Sequence, residues 1–488
     1  EGESESVFEY QNKLTLMNRQ SVQKTLEIEH QLNKDDDFVV DTSFTWLLYS
    51  IFYLSAMMYI NFILLFIRYF LLYFFLRKEN INVLEAVGAC IPSYQIITVA
   101  VFWAFSQGFS FKAAQFYSVK EYRNLGQILY KALLFNIAIG LVLFVTLFFF
   151  GSMIFSTFLN NQDALEKLNL LIKALAIGTP FHACEMITSR YYSVTNDMSK
   201  PVIGSIIGLA VQIVLQLVLV SWFGLVEIGT GLSFSIGTIS NVCFGTYCFF
   251  YKNPIPEVII PFSFDEVYQG FWNFIQYSLP LGLLALVIIL SVELMQFLAL
   301  AISEYAFTCY AIIYNIFMLV IMYVESLTLS NNIHMNYAIA NKRFDSLYTT
   351  LNATLLLVAA YLVLVLLVLL FFFEQIVTLY TFDSDVLRSL VSLKFWVILV
   401  IIFFFGNSLF AEGLSVLGSY MFPIVTTIVM RYIFYIALSL VLSQYFGLET
   451  VLISNLVCLV LCNIFNGVYF LYLMNDLNRD DYKREKVE

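Results

Sequence analysis

Polar and apolar positions fall into long blocks along this chain. Apolar runs lie near residues 44–76, 83–110, 125–150, 164–190, 201–223, 228–251, 268–300, 305–330, 346–373, 386–417, 421–445 and 450–474. Each is long enough to cross a bilayer as an α-helix, which takes ~20 residues. A membrane barrel would instead show short strands of alternating character. The pattern therefore predicts an all-α polytopic membrane protein with twelve transmembrane helices. Polar or turn-forming residues separate the runs: Arg77-Lys78-Glu79-Asn80, Asn160-Asn161-Gln162-Asp163, Asn196-Asp197, Asn341-Lys342-Arg343 and Asp383-Ser384-Asp385.

Composition agrees. Hydrophobic residues make up 60% of the 488 and charged residues 12%, against about 45–50% and about 25% in ordinary soluble domains. A soluble enzyme, a nucleic-acid binder and a disordered protein are excluded. The net charge is −10, and the two polar ends hold most of it: ten acids and four bases in residues 1–43, five acids and four bases in residues 475–488. Both read as solvated tails. The first 43 residues lack the apolar core of a signal peptide. The seven cysteines all sit in apolar runs without companion ligands, so they read as packing residues and no metal or other cofactor is expected.

Loop charge gives an expected orientation. Lys112, Lys120, Arg123, Arg190, Lys200, Lys252, Lys342 and Arg343 fall on one set of loops, and only Arg77 and Lys78 on the other. With an even number of spans, both termini are then expected on the cytoplasmic or equivalent inner side.

The two halves resemble each other. Asn241-Val-Cys-Phe-Gly245-Thr-Tyr247 corresponds to Asn463-Ile-Phe-Asn-Gly467-Val-Tyr469, and Trp222-Phe-Gly224-Leu225 to Tyr445-Phe-Gly447-Leu448, at offsets near 222. Pro201 and Pro423 open the fifth helix of each half. Duplication of a six-helix unit follows, with the copies related by an axis along the membrane normal. The expected organisation is an N-terminal tail to residue 43, an N-lobe over 44–251, a linker over 252–267, a C-lobe over 268–474 and a C-terminal tail over 475–488.

After the second run, Gln115-Phe-Tyr117-Ser-Val-Lys-Glu-Tyr122-Arg-Asn-Leu125-Gly126 resembles a signature of the multidrug and toxic compound extrusion (MATE) family in its eukaryotic form, with Ser118 where Gly is usual. Leu84-Glu-Ala-Val-Gly88, Pro180, Pro201, the Gly224-to-Ser235 stretch and Pro280 follow the family's order. The second copy, His334-Met-Asn-Tyr337-Ala-Ile-Ala-Asn-Lys342, has lost its glycines. The resemblance covers about residues 45–475 and implies two six-helix lobes forming a V-shaped cleft. It implies export of organic cations, drugs or metabolites, driven by protons or sodium. No GxxxxGK[ST] motif occurs, against ATP hydrolysis; no enzymatic activity is expected.

Ionisable residues inside the runs are the candidate sites. Glu293 lies thirteen residues after Pro280 and matches the second of two glutamates the family carries there, while Ile288 stands at the first. A carboxyl in a low-dielectric lobe can bind a proton on one side and release it on the other, although a glutamate held by hydrogen bonds for packing gives the same pattern. At the family's acid-and-amide pair in the tenth helix, Phe404 or Phe405 takes the acid position and Asn407 the amide. Glu325 and Glu412 either replace the missing acid or approach the inner surface. His182 and Glu185 share a helix face, as a proton relay or as a satisfied buried pair. Arg68, Lys394 and Arg431 read as structural ion pairs or snorkelling bases. Were Arg68 to face the cleft, it would favour an anionic or zwitterionic solute and reach Glu293 as a latch between the lobes. Asn61, Gln95, Gln296 and Asn315 are polar positions in apolar surroundings, in the cleft or as interhelical hydrogen-bond partners. Trp103, Tyr277, Tyr305, Tyr310 and Tyr314 are candidate aromatic lining.

The expected function is a secondary active exporter working by alternating access and driven by a cation gradient, protons before sodium, with the lipid bilayer, a small organic solute and the coupling ion as partners. It would act as a monomer, without nucleic acid. Two rivals remain: a transport-inactive subunit of a larger membrane assembly, suggested by Ile288 and the missing tenth-helix acid, and a flippase for lipids or lipid-linked sugars.

Overall fold

The computed structural model describes residues 43–76, 94, 96–155, 162–253, 255–261, 267–343, 345–378, 380 and 384–485. Among them the chain is helical almost throughout and no strand occurs. Such a chain satisfies its backbone hydrogen bonds inside each segment, as a bilayer interior requires. Twelve helical segments follow in order. The N-lobe holds α1 (Phe44–Leu76), α2 (Val101–Ser118, entered through a π turn at Ile96–Ala100), α3 (Tyr122–Phe155), α4, α5 (Ser199–Trp222) and α6 (Val226–Tyr251). The C-lobe holds α7 (Phe271–Ile302), α8 (Glu304–Ala340), α9 (Asp345–Thr378), α10 (Ser384–Val416), α11 and α12 (Thr450–Glu485).

α4 is two pieces, Gln162–Ala176 and Thr179–Val194, bent by 44°. Pro180 sits in the first turn of the second piece, where its missing N–H costs nothing. At the bend the Gly178 N–H donates to Ser235 Oγ at 3.1 Å. α11 runs as Met421–Ile428, a π segment Val429–Phe434, and Tyr435–Phe446. By length and composition alone, eight described helical stretches suffice to cross a membrane, or nine with the bent pair; Met421–Asp476, which holds α11 and α12, counts as one of them. α12 runs on into the charged end of the chain.

Small residues let helices close on each other. A Cβ on Gly208 of α5 would lie 2.7 Å from the Gly237 carbonyl of α6, the backbone-to-backbone approach that glycine permits. The lobes meet chiefly through α1 and α2 on one side and α7 and α8 on the other. A Cβ on Gly108 of α2 would collide with Ser278 of α7, and one on Gly282 of α7 with Phe105 of α2.

The hydrogen bonds that join the lobes gather toward the end of the bundle carrying the turns with Lys120, Lys200, Lys252 and Lys342, called here the basic end. Ser330 Oγ donates to the Ile51 carbonyl at 3.3 Å, and Tyr59 to the Leu319 carbonyl at 3.2 Å. His334 Nδ1 donates to the Ser330 carbonyl at 2.8 Å, leaving Nε2 to accept from Ser50 Oγ at 2.9 Å. Tyr337 donates to the Val194 carbonyl.

The signature residues belong to this joint. Gln115 donates to Asn336 at 3.0 Å, and the Tyr117 ring lies 5.9 Å from that of Tyr337 and 6.3 Å from that of Tyr122. Gly126 sits under the linker, where a Cβ would be 2.3 Å from the Val258 carbonyl. The first copy of the motif thus packs on its degenerate second copy.

Candidate functional site

The N-lobe encloses one connected polar network. Arg68 of α1 is fully buried. Its guanidinium donates to Gln212 at 3.1 Å, to the Phe234 carbonyl at 3.0 Å and to Thr238 at 2.7 Å, and it stacks 4.7 Å from the Phe234 ring. Glu185 of α4 stands 3.8 Å away. That carboxylate also takes His182 Nδ1 at 2.8 Å and Asn241 Nδ2 at 2.5 Å. Asn241 reaches on to Ser205 at 3.3 Å, and Ser205 donates to Asn61 at 2.6 Å. The His182–Glu185 pair expected from spacing is present, with an arginine added from a helix 117 residues earlier in the chain. The expectation that Arg68 could face the cleft is overturned. Nε and Nη2 donate inside the N-lobe and Nη1 stands 3.8 Å from Glu185 without a hydrogen bond, while Glu293 is bonded to Tyr314 within the C-lobe, so no Arg68–Glu293 latch is present.

Beside this network lies a small cavity, lined in part by Asn61, Trp103, Glu185, Ser189 and Arg190 of the N-lobe and Leu329 of the C-lobe. Arg190 was counted above with the loop bases; it is instead buried in α4. Its guanidinium lies 5.3 Å from the Trp103 ring, and Nε donates to Ser106 at 3.0 Å. Charge, ring and hydroxyls around a small apolar space are the usual make-up of a solute pocket.

In the C-lobe, Glu293 of α7 is 7% exposed and accepts a hydrogen bond from Tyr314 of α8. Asn315 turns back on the Ala311 carbonyl, and Gln296 is half-buried on α7. Gln95 falls outside the described residues. Asn407 is buried and accepts from Asn466 at 3.4 Å. Ile288 and both Phe404 and Phe405 pack in one apolar cluster, so the two positions where the resemblance expects acids have become one piece of core.

Glu412 is buried and Glu325 half-buried. Ser408 donates to Glu325 at 2.8 Å and Asn332 to Glu412 at 2.5 Å. Each carboxyl is thus held by a neutral donor of the other helix. These links escaped sequence reasoning, since α8 and α10 meet only where they pack.

Lys394 is half-buried and donates to the Leu370 carbonyl at 2.5 Å, an anchor on α9. Arg431 is 1% exposed and neither pairs nor snorkels. Its guanidinium lies 5.5 Å from the Phe404 ring, beside Tyr435, Cys458 and Cys462, and Nε and Nη1 find no acceptor among the described residues. No group of three or more His, Cys, Asp or Glu among the described residues could hold a metal ion.

Two packed six-helix lobes, one with a charged network inside, define a polytopic membrane protein. A family model described as MatE matches residues 57–218 and again 280–441. Together the matches cover more than half of the chain, which therefore belongs to the MatE family, and their displacement by 223 residues bears out the internal duplication. The fold is similar to that of the "eukaryotic MATE transporter AtDTX14", with 13% identity, 90% of this chain and 99% of that one covered, and a TM-score of 0.80. It is also similar to a MOP superfamily transporter from Pyrococcus furiosus (15% identity, 88% and 97% covered, TM-score 0.78). A third likeness is a multidrug resistance MATE family transporter solved in an outward-facing conformation (16% identity, 88% and 96% covered, TM-score 0.77). No curated protein matches the sequence.

Proposed function

We propose that the chain is a secondary active exporter that moves a small organic solute by alternating access, driven by protons or sodium, with Glu293 as the proton carrier. One observation carries the reading: a single carboxyl is held in the apolar middle of the C-lobe by one tyrosine hydroxyl, without a basic partner bonded to it. Such a group changes charge when water reaches it and bears its proton when sealed. The cavity between Asn61, Trp103, Glu185 and Arg190 is the proposed solute site. Its charged groups and aromatic face suit an organic cation, drug or metabolite that also carries a polar acceptor. In this reading both termini lie on the inner side, and the protein works as a monomer.

Flux of a fluorescent organic cation such as ethidium in proteoliposomes tests it. An imposed pH gradient should drive uptake, and Glu293→Gln should abolish the dependence on that gradient. Gradient-indifferent flux in both proteins would remove Glu293 from the mechanism. The apolar cluster of Ile288, Phe404 and Phe405 favours a second reading, a transport-inactive subunit of a larger assembly. Native mass spectrometry separates the two: a solitary chain supports the exporter, and stable co-purifying partners support the subunit.

A further inference from the structure

The N-lobe network has a fixed polarity where it meets the cavity. A carboxylate only accepts, so Asn241 meets Glu185 with Nδ2. The same Nδ2 reaches Ser205 Oγ at 3.3 Å. Having accepted there, Ser205 donates its own proton to Asn61 Oδ1 at 2.6 Å. That leaves Asn61, which lines the cavity, with its Nδ2 donors. A chain of bonds that starts on a carboxylate thus ends on an N–H.

Arg190 lines the same cavity and adds a charge. The residue is 4% exposed. Its Nε is used on Ser106, and its Nη2 is buried without a hydrogen-bond partner. No carboxylate among the described residues forms an ion pair with it. Glu185, the acid in the lining, is bonded to His182 and Asn241 and stands 3.8 Å from Arg68. In the facing lobe, Glu325 takes Ser408 and Glu412 takes Asn332. A buried guanidinium without a bonded counter-charge is the costly case, and an acceptor brought in by a ligand removes that cost. The Trp103 ring, 5.3 Å from the guanidinium, together with Met58, Phe62 and Leu329, gives the cavity an apolar side.

We propose that this cavity is a site for a monovalent anion, held between Arg190 and Asn61: the carboxylate of a small organic acid, or a chloride ion. Both sources bring one negative charge and no donor, which is what two donor side chains and one guanidinium charge select. A guanidinium donates in parallel to both oxygens of a carboxylate, and the Asn61 amide adds a neutral bond. The sources differ in body, since only an organic acid brings an apolar part for Trp103 and its neighbours. The inference deepens the reading of this cavity as the solute site, and rests on that reading only in taking the anion for part of a solute.

Isothermal titration calorimetry tests it on the purified full-length protein, in an uncharged detergent and Tris sulfate, with formate, benzoate and chloride as probes. Saturable binding of formate or benzoate but not chloride assigns the site to organic acids. Chloride that competes with them assigns it to small anions in general, and chloride alone to the inorganic ion. Arg190→Gln should weaken whichever probe binds by at least about tenfold, the usual consequence of losing a bond to a charged group. Arg190→Lys keeps the charge and should bind more tightly than Arg190→Gln. Asn61→Asp keeps the acceptor for Ser205, puts an oxygen in place of the amide N–H, and should abolish binding. No saturable binding of any probe would overturn the proposal, as would binding that Arg190→Gln and Asn61→Asp leave unchanged. Calorimetry reads binding and not flux. A chain that moves ethidium but takes no probe therefore refutes the anion site and leaves the exporter reading, and one that binds a probe without moving ethidium does the reverse.

Discussion

The two lobes share a fold and differ in what they bury. At equivalent positions, the N-lobe's Arg68, His182, Glu185, Gln212 and Thr238 face Leu290, Phe404, Asn407, Phe434 and Val460 in the C-lobe. One asparagine survives in both copies. Asn241 donates to the Glu185 carboxylate, whereas Asn463 donates to the Phe403 and Leu459 carbonyls. Around Arg68 the N-lobe closes its charges on each other. The C-lobe keeps single ones: Glu293 with a tyrosine, Arg431 with a ring and thiols. Duplication fixed where helices pass; it did not fix which lobe would hold compensated charge and which would hold charge able to change.

The sharpest way to break this comparison is to delete each buried guanidinium. Arg68→Leu leaves Glu185 without its positive neighbour and should lower stability in detergent by about 3–5 kcal/mol, the usual cost of removing one member of a buried pair. Chemical unfolding followed by tryptophan fluorescence measures it. Arg431→Leu should do the opposite, gaining about 1–3 kcal/mol by removing donors that lack acceptors. If both variants lose stability equally, the contrast between the lobes is wrong. The paired asparagines sharpen it further. Asn241→Ala removes a bond to a charged group and should cost about 1.5–3 kcal/mol, while Asn463→Ala removes neutral bonds and should cost about 0.5–1.5 kcal/mol. The smallest effect is expected at the signature. Ser118→Ala gives the first copy the residue that follows Tyr337 in the second. Its hydroxyl is bonded only to the Gln115 carbonyl one turn back. The change should stay within about 0.5 kcal/mol, and a larger loss in the same unfolding measurement would mean that Ser118 does more than close its own turn.

Much of the architecture was legible in the sequence because it rests on local pattern. Apolar block length marked the helices, and the repeat at 222 residues marked the lobes. The i,i+3 spacing of His182 and Glu185 found their pair. What was not legible depends on which way distant helices turn. Arg68 lies 117 residues before Glu185, and no local rule orients it toward that partner and away from the cleft. Arg190 sits near a turn in sequence and passed for a loop base, yet α4 carries it inward. Glu325 and Glu412 find Ser408 and Asn332 only because α8 and α10 pack. The loss of acids at 288 and 404 looked like two separate departures; it is one, since both side chains enter the same cluster.

The crossing of α2 and α7 has a mechanical consequence. Gly108 abuts Ser278 and Gly282 abuts Phe105, so each helix presses a side chain into a bare stretch of the other within about one turn. Sliding either helix lengthwise would drive Ser278 or Phe105 against a neighbour bearing a Cβ. The crossing therefore acts as a key: it bars the halves from shearing past each other.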